Sequence, residues 1–400
     1  MELTTIKNLA DVIKTGKTPP TKEEKYFNGD IKWYTPGDLD KAKCLTDSVR
    51  TLSKTAMTDK MAAIFPEGTL LVACIGDIGK LGITTEECSS NQQITGITPK
   101  SNVSVSYLYY WFRYSKKSLQ HVANNAVVPI LNNRSLGQIK IPLPPLAEQQ
   151  KIAAILDAAD QLRQKDQQLI DHYSQLSQSL FFQMFGDPVT NPMGWEKVEL
   201  DNVCKLQGGF SFKSNHYVEK GVRLVKIANV NHENLDWAEV DMLPESYVES
   251  YSSFALKTGD ILMALTRPII KSLGTVKAVT VKEADLPALL NQRVARFFPN
   301  ESVLNKRYLL TVIYSNYFKH KIDGYSSTSL QPNVSNKQVQ SIEILLPPVA
   351  LQNQFAQHIK NIEQQKQQAQ ASLEKSQALF NSLLQRAFKG ELTSRESRAA

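Results

Sequence analysis

A chain of 400 residues with 42% hydrophobic and 21% charged side chains is long enough for two or three buried cores, and its composition excludes low-complexity disorder. A net charge of +7 favours a polyanionic partner without identifying one. Cys44, Cys74, Cys88 and Cys204 have no C-x-x-C spacing and the histidines are scattered, which argues against structural zinc or disulfides. The opening lacks an apolar run of signal-peptide length, and no stretch approaches the ~18 apolar residues that span a bilayer, so a cytoplasmic protein with no membrane partner is expected.

In chain order, residues 1–143 read as short strands broken by turns at Pro36-Gly37 and Glu67-Gly68, with a helix near 105–123. The pattern predicts a mixed α/β domain with a small, curved, mainly antiparallel sheet. Residues 144–187 read as one long helix. Pro144-Pro145 stand at its first turn, and Gly186 followed by Pro188 at its end. Ile152, Ala159, Asp166, Tyr173 and Leu180 recur every seven residues, with Ile155, Leu162, Leu169 and Leu176 three residues later, as the a and d sites of a coiled coil. Residues 188–346 form a second mixed domain, with turns at Gly208-Gly209 and Thr258-Gly259 and a helix near 304–322. Residues 347–400 carry a second long helix and a tail. Its stripe is Phe355, Ile359, Ile362, Lys366, Ala369, Leu373, Ser376, Phe380, Leu383 and Ala387, and Gly390 stands at its end. Local net charge runs +5 over 1–145, −3 over 146–189, +2 over 190–348 and +3 over 349–400, so a duplex would favour the large segments over the central helix.

The order large–helical–large–helical is an internal duplication. NNRSLGQIKIPLPPLAEQQKIAAIL (132–156) is echoed by SNKQVQSIEILLPPVALQNQFAQHI (335–359), with the proline pairs 203 residues apart. More faintly, FPEGTLLVAC (65–74) resembles LKTGDILMAL (256–265), and Asn91-Gln92 resembles Asn291-Gln292, each followed by a strand ending at Pro99 or Pro299. Gly82 and Gly274 close comparable loops. Neither helix can bury its stripe alone, so the two should pair. Because the second starts where the second domain ends, the pairing must be antiparallel. The expected fold is α+β: two mixed α/β domains with small curved sheets, separated by two long helices of an antiparallel coiled coil, with a pseudo-two-fold internal repeat.

Catalytic signatures are missing. Gly76-Asp77-Ile78-Gly79-Lys80 has two residues between its glycines where a phosphate loop needs four, and Leu81 follows the lysine. Gly208-Gly209 lacks the rest of a dinucleotide fingerprint. No G-x-S-x-G or H-E-x-x-H occurs, nor does the Asn/Asp-Pro-Pro-Tyr/Phe signature of amino-methyltransferases. A non-catalytic chain is expected.

Two divergent domains, two similar helices opening with L-P-P-x-x-x-Q, and the helix endings LFFQMFGD and LLQRAFKGEL resemble the specificity subunits of type I restriction–modification systems. The likeness covers essentially the whole chain. The second copy departs at Val349-Ala350-Leu351-Gln352-Asn353-Gln354, where the family often has Glu-Gln-Gln. The resemblance implies target-recognition domains at 1–143 and 188–346, each reading one half of a bipartite, asymmetric DNA site. It implies helices that fix the unread spacer and dock two methyltransferase subunits, and an assembly that recruits nuclease–translocase subunits. S-adenosylmethionine, ATP and Mg²⁺ would belong to those partners, with no cofactor on this chain. Three other readings remain: a specificity subunit of a multisubunit methyltransferase without a nuclease, a methyltransferase fragment, and a coiled-coil scaffold unrelated to DNA.

Base readout needs Arg, Lys, Asn, Gln, Ser or Thr on exposed loops, with phosphates held by Lys and Arg. Loops at matching places offer Lys17, Thr18, Lys22, Lys25, Tyr34, Asp38, Asp77, Lys80, Gln92, Gln93, Asn132 and Arg134 in the first domain. The second offers Ser211, Lys213, Ser214, Asn229, Asn231, Arg267, Lys271, Gln292, Arg293, Gln331 and Asn333. Gln92 and Gln292 have a competing role as hydrogen-bonding anchors of the sheet. The aromatic run Tyr107–Phe112 falls on a helix and reads as core.

Overall fold

Leu70–Ala73 and Ile261–Ala264 are short apolar runs with every side chain buried, as expected of strands covered on both faces, and each is an inner strand of its sheet. The computed structural model describes residues 3–123, 129–326 and 332–393. It divides into two units, Met1–Leu169 with Ala369–Ala400 and Ile170–Gln368, so each long helix contributes to both.

In the first unit the main sheet runs Ala10–Thr15, Ile94–Pro99, Leu70–Ala73, Leu81–Thr84, Cys44–Leu45, antiparallel except for the last pair. In the second it runs Cys204–Gly208, Val294–Pro299, Ile261–Ala264, Ala278–Thr280, all antiparallel. A three-stranded side sheet accompanies each. Its middle strand, Phe27–Tyr34 or Val222–Val225, pairs in parallel with Ser89–Ser90 or Ala288–Leu290. A two-stranded ribbon ties the start of each domain to its end, Leu3–Thr5 with Lys140–Pro142 and Glu196–Glu199 with Glu343–Leu346. The long sheet strands stop at Pro99 and Pro299, which lack the N–H needed to continue the ladder.

The helix Val105–Ala123 packs Tyr107, Leu108 and Phe112 onto Leu70, Val72 and Ile97. Its counterpart is not the single helix expected near 304–322. Lys306–Tyr314 ends and Asn316–Ser326 begins at Ser315. The Ser315 hydroxyl donates to the Val312 carbonyl at 2.6 Å and accepts from the Phe318 N–H at 3.2 Å, capping the second piece. Two glycine assignments also change. Gly208 ends a strand, and Gly209 packs so tightly that a Cβ there would meet the Asn291 carbonyl at 2.3 Å. Gly82 lies within a strand against Leu45, at the register position that Val279 holds in the second sheet, whereas Gly274 (φ +63) lies in a turn, so the two do not correspond.

The central helix, Leu146–Phe185, and the C-terminal helix, Val349–Lys389, are each about 60 Å long at 1.5 Å per residue. They pair antiparallel within each unit. Ile152, Leu156 and Ala159 share the first core with Phe380, Leu384 and Ala387; Phe181 and Phe185 share the second with Phe355 and Ile359. The C-terminal stripe lies inward along its length, buried or half-buried, as expected. The central stripe needs correction. Leu162, Leu169 and Leu176 are 46%, 42% and 49% exposed, whereas Leu156 and Ile170 are buried. The companion to each heptad position stands four residues on, not three, because Leu156 is drawn into the core under Tyr107 and carries the seam with it. Asp166 stays buried in that seam, accepting from the Ser372 hydroxyl at 3.0 Å.

Both helices start on the same latch. Gln149 and Gln352 are 1% and 0% exposed. Gln149 Nε2 donates to the Pro144 carbonyl at 2.8 Å and the Asn102 carbonyl at 3.3 Å, while its Oε1 accepts from the Ser104 N–H at 2.9 Å. Gln352 repeats this with Pro347 (2.7 Å), Val303 (2.9 Å) and the Asn305 N–H (2.8 Å). Above each latch a buried tyrosine hydroxyl bonds the ribbon, Tyr107 to the Pro142 carbonyl and Tyr308 to the Leu345 carbonyl. These bonds explain the spacing L-P-P-x-x-x-Q: one amide satisfies a proline carbonyl and the loop that leads into the helix packed on the sheet.

Candidate nucleic-acid interface

Strands that end together bring their following loops together. In the first unit the Cys74 N–H donates to the Gln93 carbonyl at 2.8 Å, the Leu131 N–H to Cys74 at 2.8 Å, and the Gly76 N–H to Pro129 at 3.1 Å. In the second, Leu265 donates to Arg293 at 2.9 Å, Val334 to Leu265 at 2.8 Å, and Arg267 to Pro332 at 2.8 Å. Isolated bridges Ile75↔Ile130 and Thr266↔Asn333 complete the match. A fourth loop joins each rim, where the Lys17 N–H bonds the Ser90 carbonyl and the Phe210 N–H bonds Leu290. Thus residues 16–18, 74–80, 91–93 and 129–134 form one rim, and 209–214, 265–271, 291–293 and 332–334 form the other.

Most candidate residues fall on these rims. In the first unit, Lys17 is exposed and donates to the Lys60 carbonyl at 2.7 Å; Thr18 bonds Gln92 through its hydroxyl. Exposed Asp77 pairs with Lys80 at 2.8 Å. Gln93 is held by Asn91, which donates to its Oε1 at 2.9 Å. Asn132 caps a helix, accepting from the Ser135 N–H at 2.9 Å, and Arg134 is exposed. In the second, Ser211, Lys213, Ser214, Arg267, Lys271, Gln292, Arg293 and Asn333 are all exposed. Arg293 reaches Thr266 Oγ1 at 3.4 Å. Gln331 lies outside the described residues.

Other candidates lie off the rims, and three are corrected. Tyr34 is 1% exposed in the core, its hydroxyl bonding the Leu45 carbonyl at 3.2 Å and its carbonyl supporting Asn91 from below. Burial also pushes that phenol well above its ordinary range. Asp38, 4% exposed, closes its own turn by accepting from the Thr35 N–H and hydroxyl, both at 2.8 Å. Asn229, 2% exposed, holds a loop through the Asp236 and Glu239 carbonyls. Polar residues in tight turns bond their own backbone before they can reach a partner. Lys22 is exposed, and Lys25 pairs with Glu23 at 3.1 Å over the Tyr26 ring. Asn231 is exposed and accepts from the His232 N–H.

Phe210 was not anticipated. It is 38% exposed beside Gln292 and rests on Tyr251 at 4.7 Å between ring centroids. Its position directly after Gly208-Gly209 was the available signal. A different strap reaches a long helix in each unit: Lys43, beside the main sheet, pairs with Asp157 in the first, and Glu233, in the loop before Asp241–Leu243 of the side sheet, pairs with Lys366 at 3.5 Å in the second. Among the described residues, no group of three or more His, Cys, Asp or Glu side chains is placed to hold a metal. Cys74, under the first rim, is raised to about 11 by burial and stays a thiol at neutral pH.

Residues 1–171 and 192–375 match the family described as type I restriction modification DNA specificity domain. The MjaVIII specificity subunit, a type I restriction enzyme component from Methanocaldococcus jannaschii, is 32% identical over 269 residues, 64% of this chain and 63% of the relative. The MjaIX specificity subunit from the same organism is 31% identical over 225 residues, 51% of this chain and 52% of that one. The chain therefore spans between half and two thirds of the length of these relatives. A type I restriction–modification S subunit from M. genitalium has the same fold, with TM-score 0.61 at 15% identity over 97% of this chain and 96% of that one. With both copies of the repeat matched and most of the sequence covered, the chain belongs to the type I restriction–modification DNA specificity family.

Proposed function

We propose that this chain is the DNA sequence-specificity subunit of a type I restriction–modification enzyme, each unit reading one half of a bipartite, asymmetric site. The rims carry this reading. One hydrogen-bonded frame recurs in both units, and it presents different polar side chains in each. A shared frame with unlike side chains suits two readers of unlike half-sites, where a symmetric dimer would read a palindrome. Half-sites on one face of a duplex repeat every ~34–36 Å, a distance within the reach of paired helices about 60 Å long, so the helices act as the ruler.

Methyltransferase subunits dock on the central helix. Leu162, Leu169 and Leu176, exposed at a seven-residue spacing, offer a partner helix a second seam. S-adenosylmethionine, ATP and Mg²⁺ are carried by the methyltransferase and nuclease–translocase partners, and the assembly works in the cytoplasm. No described helix is long and apolar enough to cross a membrane. Methylome sequencing of cells with and without this chain tests the whole reading. One bipartite motif should vanish with the chain; an unchanged methylome rejects it.

A further inference from the structure

The two rims differ most where their frames agree best. The position whose N–H crosses to the proline carbonyl is Gly76 in the first unit and Arg267 in the second. Both have positive φ, +76° and +49°. That backbone suits glycine, and an arginine held there is an uncommon, strained choice. The position whose carbonyl receives the neighbouring strand is Gln93 in the first unit and Arg293 in the second. The Gln93 amide is occupied by Asn91, whereas the Arg293 guanidinium projects to an exposed edge and is steadied by Thr266.

Charge follows the same division. The first rim neutralises its own Lys80 with Asp77. Among the described residues, no carboxylate pairs with Arg267 or Arg293. The second rim therefore holds two exposed forked donors on adjoining loops, and the first holds none at those positions. In the major groove guanine is the base that offers two acceptors, N7 and O6, at the spacing of an arginine fork; Asn and Gln suit adenine.

We propose that Arg267 and Arg293 read guanine in the half-site recognised by the second unit, and that the first unit makes no equivalent contact. This rests on the DNA-reading function proposed above. Arg267 is exposed at its left-handed position, held there by its own N–H on the Pro332 carbonyl. Arg293 gains its direction from Thr266.

The test uses the full chain assembled with its methyltransferase subunits and duplexes carrying its methylome-defined site. Replacing each guanine in turn with 7-deazaguanine removes N7 alone. At one or two positions, all in one half-site, binding should fall about tenfold or more. In Arg293→Ala and Arg267→Ala complexes the sensitivity at the base that each arginine reads should disappear, and lysine, which keeps the charge and loses the fork, should restore it only in part. Methylome sequencing of the same variants should show that half relaxed at a G·C pair and the other half unchanged. Three results would overturn the proposal: no guanine sensitive to the N7 deletion, sensitivity that survives in both alanine variants, or binding that is uniformly weaker in the alanine variants and fully restored by lysine, which marks phosphate contacts. Because the deaza series uses the unaltered protein, a folding defect in a variant cannot hide the answer. An unchanged methylome on removing the chain would instead reject the underlying function, a separable failure.

Discussion

At the helix starts the two units repeat each other bond for bond. Gln149 and Gln352 each bond a proline carbonyl, a loop carbonyl and a loop N–H, and Tyr107 and Tyr308 bond the ribbon above them. On the sheets and rims they diverge. Gly96 leaves room for the Phe65 ring, where a Cβ would come within 2.4 Å. Its counterpart Arg296 is buried, bonding Gln207 and the Ser253 and Ala255 carbonyls and pairing with Asp260 at 3.1 Å. The straps reverse their charge, Lys43 on Asp157 against Glu233 on Lys366. Backbone hydrogen bonds hold the frame in both cases, so the side chains on it are free to change. The latch has no such freedom, because its side chain is the hydrogen-bonding group.

The comparison is broken most severely at the helix ends. Phe185 is buried against Tyr308 at 4.8 Å and Phe355 at 5.1 Å, whereas its counterpart Phe388 is only half-buried against Tyr107 at 5.4 Å. Phe185→Ala should cost about 3–5 kcal/mol and Phe388→Ala clearly less, read from denaturant midpoints of the full chain. Equal losses would mean the two ends are equally packed. Next come the latches. Gln149→Leu or Gln352→Leu leaves one buried N–H and two carbonyls without their partner, at about 3 kcal/mol. The two losses should agree within about 0.5 kcal/mol, since every bond is duplicated. A twofold difference would show that the second latch, in its altered Val349–Gln354 context, has changed role.

Legibility in the sequence followed the same division. The repeat, the strand endings at Pro99 and Pro299, and the C-terminal stripe were readable because backbone rules and burial period fix them. The rims were readable as places, since loops after adjacent strands must meet. Individual roles were not. Asp38 and Asn229 are the residue types that read bases, but they are also the types that close turns, and only geometry separates the two uses. The central helix offered leucines at both phases, Leu156 as well as Leu162, and a heptad with two candidate companions is decided by the domain packed above it. The latch glutamines were visible as a motif without a mechanism, because their partners Asn102 and Val303 lie far back in the chain.

That misassigned phase gives a smaller, separable effect. Leu162→Ser, Leu169→Ser and Leu176→Ser together change exposed positions, so the stability of the chain should move by less than about 1 kcal/mol. Co-purification with methyltransferase subunits should be lost. The same change at Ile152 and Leu156 should unfold the first unit instead. If the leucine triple leaves the assembly intact, the docking seam lies elsewhere.

The smallest effect separates the straps by pH. His232 packs on the Tyr314 ring at 4.5 Å, with Nε2 3.6 Å from Glu233, and its buried Nδ1 has no partner. Burial and the charge of Lys366 hold its pKa below the ordinary value against the opposing pull of Glu233, so the folded chain favours the neutral ring. The unfolded chain binds its proton at about pH 6.5 and the folded chain only at lower pH, so this stabilisation is full above that range. As pH falls below about 6.5, the unfolded state takes up the proton first and the second strap loosens. The Lys43–Asp157 strap contains no histidine. Hydrogen exchange between pH 7 and pH 5 should therefore show protection falling around 229–236 and not around 40–45, with His232→Gln abolishing the difference. Equal loosening of both loops would assign the effect to carboxylates common to the two straps and not to the histidine.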